Sequence, residues 1–459
     1  MGPEGGDALL YGASAVFALL TATLAGLPAY RVWGWIALGP YVVAAGVTIL
    51  VARRRRRGVP ASVPAGAPAP AAALAATCAE GARLPDVAAD EVVRSAKERQ
   101  QTQWGPARLW LLLLLLVGSA LVPLSVEVAL RNEGPATNHV QPEVVVIAQG
   151  GRLLGEGKDP YHATVRHGKV ESAVPGEPSF ESFFPYLPLM AVFGLPSSAH
   201  GPLRVTDTRV LFSVVTLLVV GLALLLLRAP RDKKLRVLQF LTVLPTAALP
   251  LATGGDDMPV VALLLLAMVL AQRRRPGWSG FVLGIVSSMK FTAWPLAVLA
   301  LFAARDERGR RAPGRMALGM LVVAGPVVVP FALENVRAFV DNVILFPLGL
   351  AGVSSPAASN LPGHLLEVNF PWLHTIVPLS VAIVGGVVLL RHLVRHTPST
   401  PAAVCTLAGW VMLVAIVFAP STRVGYLLYP IDFFVWGAMF AASDRPAVAA
   451  EVGLALAAA

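Results

Sequence analysis

LWLLLLLLVGSALVPLSVEV, residues 109–128, is a run of twenty predominantly apolar residues behind Arg108. A helix of that length rises about 30 Å, the thickness of the hydrocarbon layer of a bilayer. Comparable runs recur at 9–27, 33–52, 210–227, 237–252, 260–271, 316–331, 377–393, 402–418 and 427–441. The composition agrees: 14% of the chain is charged and the mean hydropathy is +0.67, whereas a soluble domain carries about 25% charged residues. The chain is expected to be an all-α polytopic membrane protein, with the lipid bilayer as its first partner.

Charge then orients the spans. The formal net charge is +10, but the basic residues stand in short clusters at 53–57, 228–236, 273–275, 305–315 and 391–395, each at the end of an apolar run. Such clusters are retained on the cytoplasmic side. Read this way, the chain crosses the plasma membrane repeatedly and has both termini in the cytoplasm. No continuous basic face marks a nucleic-acid partner. Cys78 and Cys405 lie far apart in dissimilar contexts, so they give neither a disulfide framework nor metal spacing. With no Gly-rich phosphate loop and no His/Cys cluster, no metal and no cofactor is expected.

Four segments follow. Residues 1–52 form an N-terminal transmembrane hairpin. Residues 53–108 are a cytoplasmic linker, basic at first and then almost entirely Ala, Pro, Val, Gly and Ser over 58–77, a composition that cannot bury a core. A short polar helix is expected over 86–103. Residues 109–333 form a central module with an outer loop over 129–206, and 334–459 carry a second outer loop and the last helices. Two apolar pieces, 281–289 and 294–304, are too short to cross alone and both are flanked by basic clusters. That pair is expected to enter and leave on the same side, with Lys290 at its turn; irregular backbone at such depth needs protein or water around it. The stretch 184–195, interrupted by Pro185, Pro188 and followed by Pro196, is expected to dip rather than cross.

With that path, Glu143, Asp159, Tyr161, Asp256, Asp257, Lys290, His364 and Arg423 all collect on the outer side. Ionisable groups at membrane depth are costly and have a partner or a task. Glu143 follows Pro142 and opens a short amphipathic segment. It is a candidate general base, and equally a first-turn acid favoured by the helix dipole. Lys158-Asp159-Pro160-Tyr161 has turn chemistry. Asp256-Asp257, before Pro259, suits a helix start, yet two adjacent acids where one would cap leave room for a sugar, a metal or a cation. Lys290 is either a snorkelling lysine or an anion ligand. Arg423 stands on the outer side against the basic-inside trend, and its planar fork suits phosphate. His364 reads as a loop residue.

The ordered combination is more specific than its parts. An acid soon after a core helix, then Gly157-x-Asp159-Pro160-Tyr161, then Phe184-Pro185-Tyr186-Leu187-Pro188 resembles C-type (GT-C) membrane glycosyltransferases, above all the bacterial branch using polyprenol-phosphate-mannose. The segment Gly280-x-x-x-Gly284 through Lys290 and the Arg423-Val424-Gly425-Tyr426 motif extend the likeness over roughly residues 109–441. Glu143 stands where that branch usually has Asp, and Leu187 replaces a proline. The resemblance implies a seven-helix module plus additional spans, short broken helices and a structured outer loop. It also implies inverting transfer of a sugar, mannose in that branch, from a polyprenyl-phosphate-linked donor to a lipid or glycan acceptor on the outer face. Glu143 would be the base. Lys290, Arg423 and His364 would bind the donor phosphate, and Asp159, Tyr161, Tyr186, Asp256 and Asp257 the sugar or acceptor. A transporter or lipid flippase with a polar midplane path is the rival expectation; its paired broken helices have one visible instance here.

Overall fold

The computed structural model describes residues 3–57, 106–131, 138–166, 169–171, 179–198, 206–351, 353, 357–373 and 376–457. Of the linker expected over 53–108, residues 58–105, which include its expected polar helix, lie outside them. Within them the chain is a helical bundle: α1 (Pro3–Leu24), α2 (Pro28–Arg57), α3 (Pro106–Arg131), α4 (Pro142–Gly155), α5 (Thr208–Leu226), α6 (Arg231–Val243) and α7 (Pro245–Thr253) come first. Then follow α8 (Asp257–Gln272), α9 (Pro276–Ser287), α10 (Trp294–Ala303), α11 (Pro313–Glu334), α12 (Pro362–Asn369), α13 (Ile376–Arg395), α14 (Pro401–Phe418) and α15 (Leu428–Ala457). Proline opens many of them, where its missing N–H is harmless and its φ is already helical.

Among the described residues eight helices are long and apolar enough to cross a membrane, and the α6–α7 pair, bent by 42°, has the length and apolarity of a ninth only if it is taken as one broken span. Eight of the ten apolar runs fall in these long helices, 237–252 falls in the bent pair, and 260–271 falls in α8, whose 16 residues are shorter than a full span; the chain is an all-α polytopic membrane protein. The basic ends Arg108, Arg228, Arg236 and Arg273 gather with one another: Arg228 N–H donates to Gln272, Arg273 to the Leu226 carbonyl, and Arg108 and Arg236 both reach Asp7. The five arginines 53–57, expected to open the linker, instead complete α2.

The N-terminal hairpin packs onto the module through specific polar contacts. Helices in lipid gain no hydrophobic drive towards one another, so donors and acceptors matter more. Trp33 Nε1 donates to the Ser119 carbonyl at 2.8 Å, inside a π turn of α3 (Val117–Leu121). Tyr41 hydroxyl donates to the Val243 carbonyl at 2.5 Å, at the end of a second π turn in α6 (Gln239–Val243). A π turn leaves the regular ladder, and α2 supplies the donors there. At the basic end Asp7, fully buried, takes Arg108 at 2.8 Å and Arg236 at 2.7 Å.

The loop expected over 129–206 is folded over its described residues 179–198. Residues 188–198 form a 3-10 helix, Pro188–Ser198, that lies on α4 instead of crossing, as the three prolines suggest. The contact is close because both sides are glycine. A Cβ on Gly194 would stand 2.0 Å from the Ile147 carbonyl oxygen, and one on Gly151 would strike Gly194 at 2.1 Å. A two-stranded hairpin, β1 (Thr164–Arg166) with β2 (Lys169–Glu171), closes the loop in the register Val165 opposite Val170.

Candidate active site

The site is assembled where four helix ends meet. Gln141 precedes α4; its amide donates to Thr253 Oγ1 at 2.7 Å and its N–H to the Thr253 carbonyl at 3.3 Å. That ties the start of α4 to the end of α7. Gly254 then turns the chain with φ 102, a left-handed conformation that glycine adopts without strain, and a Cβ there would meet Val144 at 2.2 Å. Glu143 and the Asp256-Asp257 pair therefore lie on neighbouring helix starts.

Lys290 comes from the far end of α9. It is extended (φ -153) between α9 and a short 3-10 turn. Its Nζ donates to Asp256 Oδ2 at 2.9 Å and Asp257 Oδ1 at 2.6 Å. Burial alone would lower its pKa, but the two carboxylates override this and hold it well above the usual lysine range. Its ammonium also lies 5.3 Å from the centre of the Tyr426 ring and 5.6 Å from that of Tyr186. Both aromatic faces favour the cation. Tyr429, one turn beyond Tyr426, donates to Asp257 Oδ1 at 2.5 Å and accepts from Thr292 at 2.7 Å.

Arg423 reaches the site from the other side and forms an ion pair with Glu143. Its backbone is held by a short bridge to 357–359: Thr422 N–H donates to the Ala357 carbonyl at 2.8 Å and Val424 N–H to Ser359 Oγ at 3.1 Å. A cavity of about 190 Å³ opens between these groups, and Glu143, Lys290, Arg423, Tyr186, Tyr426 and Ser421 are among the residues lining it. One acid and two cations that are far apart in sequence thus share one cavity.

Other expected site residues stand around this cavity without lining it. Tyr161 is buried; its hydroxyl donates to the Tyr186 carbonyl at 2.8 Å, and its ring meets Phe184 at 5.7 Å. Asp159 accepts from the Tyr161 N–H at 2.9 Å, closing the turn, with its pKa raised by burial. Both shape the loop that carries Tyr186. The same loop is fixed from above by Leu187 N–H to the Met289 carbonyl at 3.0 Å and by Asn342, which accepts the Phe184 N–H at 2.8 Å. His364 Nδ1 lies 3.1 Å from the Pro420 carbonyl, one residue before Ser421. Asp256 and Asp257 are spent on Lys290.

Sequence reasoning missed Tyr426 as a site residue, although it quoted the motif containing it, and missed Tyr429, whose spacing of three puts it on a neighbouring helical position. It also passed over a buried cluster behind the site. Asp207 caps α5 and takes Arg209 and Arg131, each at 2.9 Å. Arg209 in turn reaches the His139 carbonyl at 2.8 Å, and His139 Nδ1 lies 3.1 Å from Glu127 Oε2. Burial would raise the Asp207 pKa, but the two guanidiniums hold it below the ordinary value.

An acid, two cations and tyrosine faces around one cavity suit a sugar bearing a phosphate. Comparison of the sequence with known families decides the class: residues 184–420, just over half of the chain, match the profile of glycosyltransferase family 87. The chain belongs to glycosyltransferase family 87. The match begins at Phe184 and ends at Pro420, so this family 87 chain carries Tyr186, Asp256, Asp257 and Lys290 inside the matched region and Glu143 and Arg423 outside it. No curated protein matches the sequence. A solved structure, "ArnT from Cupriavidus metallidurans bound to Undecaprenyl phosphate", is similar at 16% identity and a TM-score of 0.42, covering 78% of this chain and 64% of that one. The family 87 chain therefore spans slightly less than two thirds of that structure's length.

Proposed function

We propose that this protein transfers a sugar from a polyprenyl-phosphate-linked donor to a lipid or glycan acceptor on the outer face of the plasma membrane, with inversion at the anomeric carbon. The observation that carries the reading is the single cavity bounded by Glu143, Lys290 and Arg423. Membership of family 87 supports sugar transfer. The likeness of the Gly157–Tyr161, Phe184–Pro188 and Arg423–Tyr426 motifs to the polyprenol-phosphate-mannose branch suggests a polyprenyl-phosphate donor and mannose as its sugar. The basic clusters gathered at the opposite helix ends support the outer face.

In the resting site Glu143 is held by Arg423. A donor phosphate competes for the same guanidinium, whose fork donates to two oxygens at once. When it binds, Glu143 is released towards the acceptor. The acceptor hydroxyl then attacks the anomeric carbon, Glu143 takes its proton, and the bond from that carbon to the phosphate oxygen breaks with the electron pair going to the phosphate. The donor phosphodiester carries about one negative charge and the leaving monoester nearly two. Arg423 and Lys290 therefore gain interaction energy as the bond breaks, the differential that lowers a barrier. Asp256, Asp257 and Tyr429 act through Lys290 by holding it at the cavity wall. Asp159, Tyr161 and His364 act through the loops that carry Tyr186 and Ser421.

The deciding experiment incubates membranes containing the protein with radiolabelled polyprenol-phosphate-mannose and follows label into lipid and glycan. Label transferred by the natural chain and not by Glu143→Gln supports the reading. Movement of intact donor across the bilayer without a new glycoside would favour a carrier instead.

A further inference from the structure

The α9–α10 hairpin has a second end. Lys290 stands at one end; at the other, about 18 Å away along the twelve residues of α9, the segments before α9 and between α10 and α11 close around a separate cavity of about 390 Å³. Arg274, Arg275, Arg308, Arg310 and Arg315 line it, together with Trp278. These arginines belong to two clusters some thirty residues apart in sequence, and the fold brings both to one concavity.

The loop that presents them is built, not merely exposed. Arg305 and Arg311 pair as a β-bridge. Asp306, buried at 7% exposure, accepts the N–H groups of Arg308 at 3.0 Å and Arg310 at 2.8 Å. Glu307 pairs with Arg275, and Asp306 lies 3.4 Å from Arg310 Nε. Among the described residues no carboxylate pairs with Arg274, Arg308 or Arg315, so three guanidiniums face the cavity with unneutralised charge.

The surroundings are those of a lipid. A second cavity of about 290 Å³ shares Arg274 and Pro276 with the first and is lined largely by apolar groups, Ala300, Ala303 and Met316 among them. Trp278 is 65% exposed and meets Phe281 edge-on at 5.9 Å, an arrangement suited to the headgroup boundary where tryptophan concentrates. Beside it α9 and α11 touch backbone to backbone: a Cβ on Gly280 would stand 2.0 Å from the Met316 carbonyl oxygen. Along α11 Leu318, Leu321 and Val322 point outwards, unburied.

We infer that these adjacent cavities hold an anionic phospholipid of the inner leaflet, its phosphate among Arg274, Arg308 and Arg315 and an acyl chain passing Arg274 and Pro276 into the apolar cavity. Basic pockets between helices at the cytoplasmic side bind such headgroups. The inference rests on the orientation proposed above but not on sugar transfer. The site is separate from the outer cavity and shares with it only the hairpin.

The test uses the full-length protein, purified into detergent doped with phosphatidylglycerol or phosphatidylcholine, and counts retained lipid by native mass spectrometry. Phosphatidylglycerol should be retained about tenfold more often than phosphatidylcholine. In a triple variant, Arg274→Lys, Arg308→Lys and Arg315→Lys, the positive charges that orient the helices stay, but the forked contacts are lost and that preference should fall about fivefold. Glu143→Gln should leave it unchanged, which separates this result from any failure of the transfer assay. Equal retention of the two lipids, an unaltered preference in the triple variant, or displacement by millimolar inorganic phosphate lacking any chain would overturn the inference. Displacement by polyprenyl phosphate and not by phosphatidylcholine or inorganic phosphate would support a lipid phosphate seat.

Discussion

Arg423 holds Glu143 in an ion pair across the cavity, so the cation best suited to a donor phosphate masks the acid best suited to be the base. Two consequences separate on substitution. Glu143→Gln should lower transfer by about 10²–10⁴-fold, the usual worth of a positioned base. It should also leave donor binding intact or tighter, because Arg423 loses its internal competitor. Transfer kinetics beside retention of labelled polyprenyl phosphate would show both; equal losses of each would mean that Glu143 serves only to hold Arg423.

Tyr429→Phe keeps the ring and removes the hydroxyl that Asp257 accepts at 2.5 Å. A hydrogen bond to a charged group is worth about 1.5–3 kcal/mol, so transfer should fall about tenfold or more. The loss should be concentrated in kcat, because Lys290 is then less well held where leaving-group charge grows. Separate kcat and KM measurements check this, and an effect on the acceptor KM alone would argue against it.

Gly194→Ala places a methyl group 2.0 Å from the Ile147 carbonyl oxygen. Overpacking of that kind costs about 1–3 kcal/mol. The 3-10 segment should lift from α4 and carry Tyr186 out of register, so the thermal midpoint and transfer should fall together. Gly157→Ala, at a left-handed position (φ 70) with open space around it, should cost less.

The Asp207 cluster gives a pH dependence. Its native pKa is lowered, because Arg209 and Arg131 outweigh burial. The stability it contributes is therefore present above the ordinary aspartate value of 3.8 and is lost as pH falls through the native value. A thermal scan across acid pH should show the midpoint dropping in that window. Asp207→Asn should destabilise the fold at neutral pH by about 3–5 kcal/mol, as for a broken buried pair, so the midpoint should fall there, and it should blunt the acid dependence. A variant with an unchanged acid profile would remove Asp207 as its source.

Much of this arrangement was legible from the chain. Apolar length gave the crossings and arginine clusters grouped their ends, because each is a local property of sequence. The irregular stretch 184–195 was legible through its prolines, and the turn at Lys290 through helices too short to cross. The pairing of Glu143 with Arg423 was not, since nothing local to either residue records a partner 280 positions away. Nothing local to Asp7 or Arg108 marks the other, and only the docked hairpin makes them a buried pair. Glu127 escaped notice inside an apolar run; its partner His139 is reached only because residue 139 takes φ 52 and turns the chain back. Tyr161 was legible as important but not for its reason, which is a bond to a carbonyl rather than to substrate.

The short limbs of the α9–α10 hairpin also bear on how the protein is made. Twelve and ten residues reach about 18 and 15 Å, too little for either limb to be released into lipid alone. They must be inserted as one unit and wait for α8 and α11 to give them protein walls. Lys290 then enters its carboxylate pair only after Asp256 and Asp257 are in place, so the candidate cavity is completed by a late step of biogenesis. Slowing that step would trap a chain that is threaded through the membrane yet has no site.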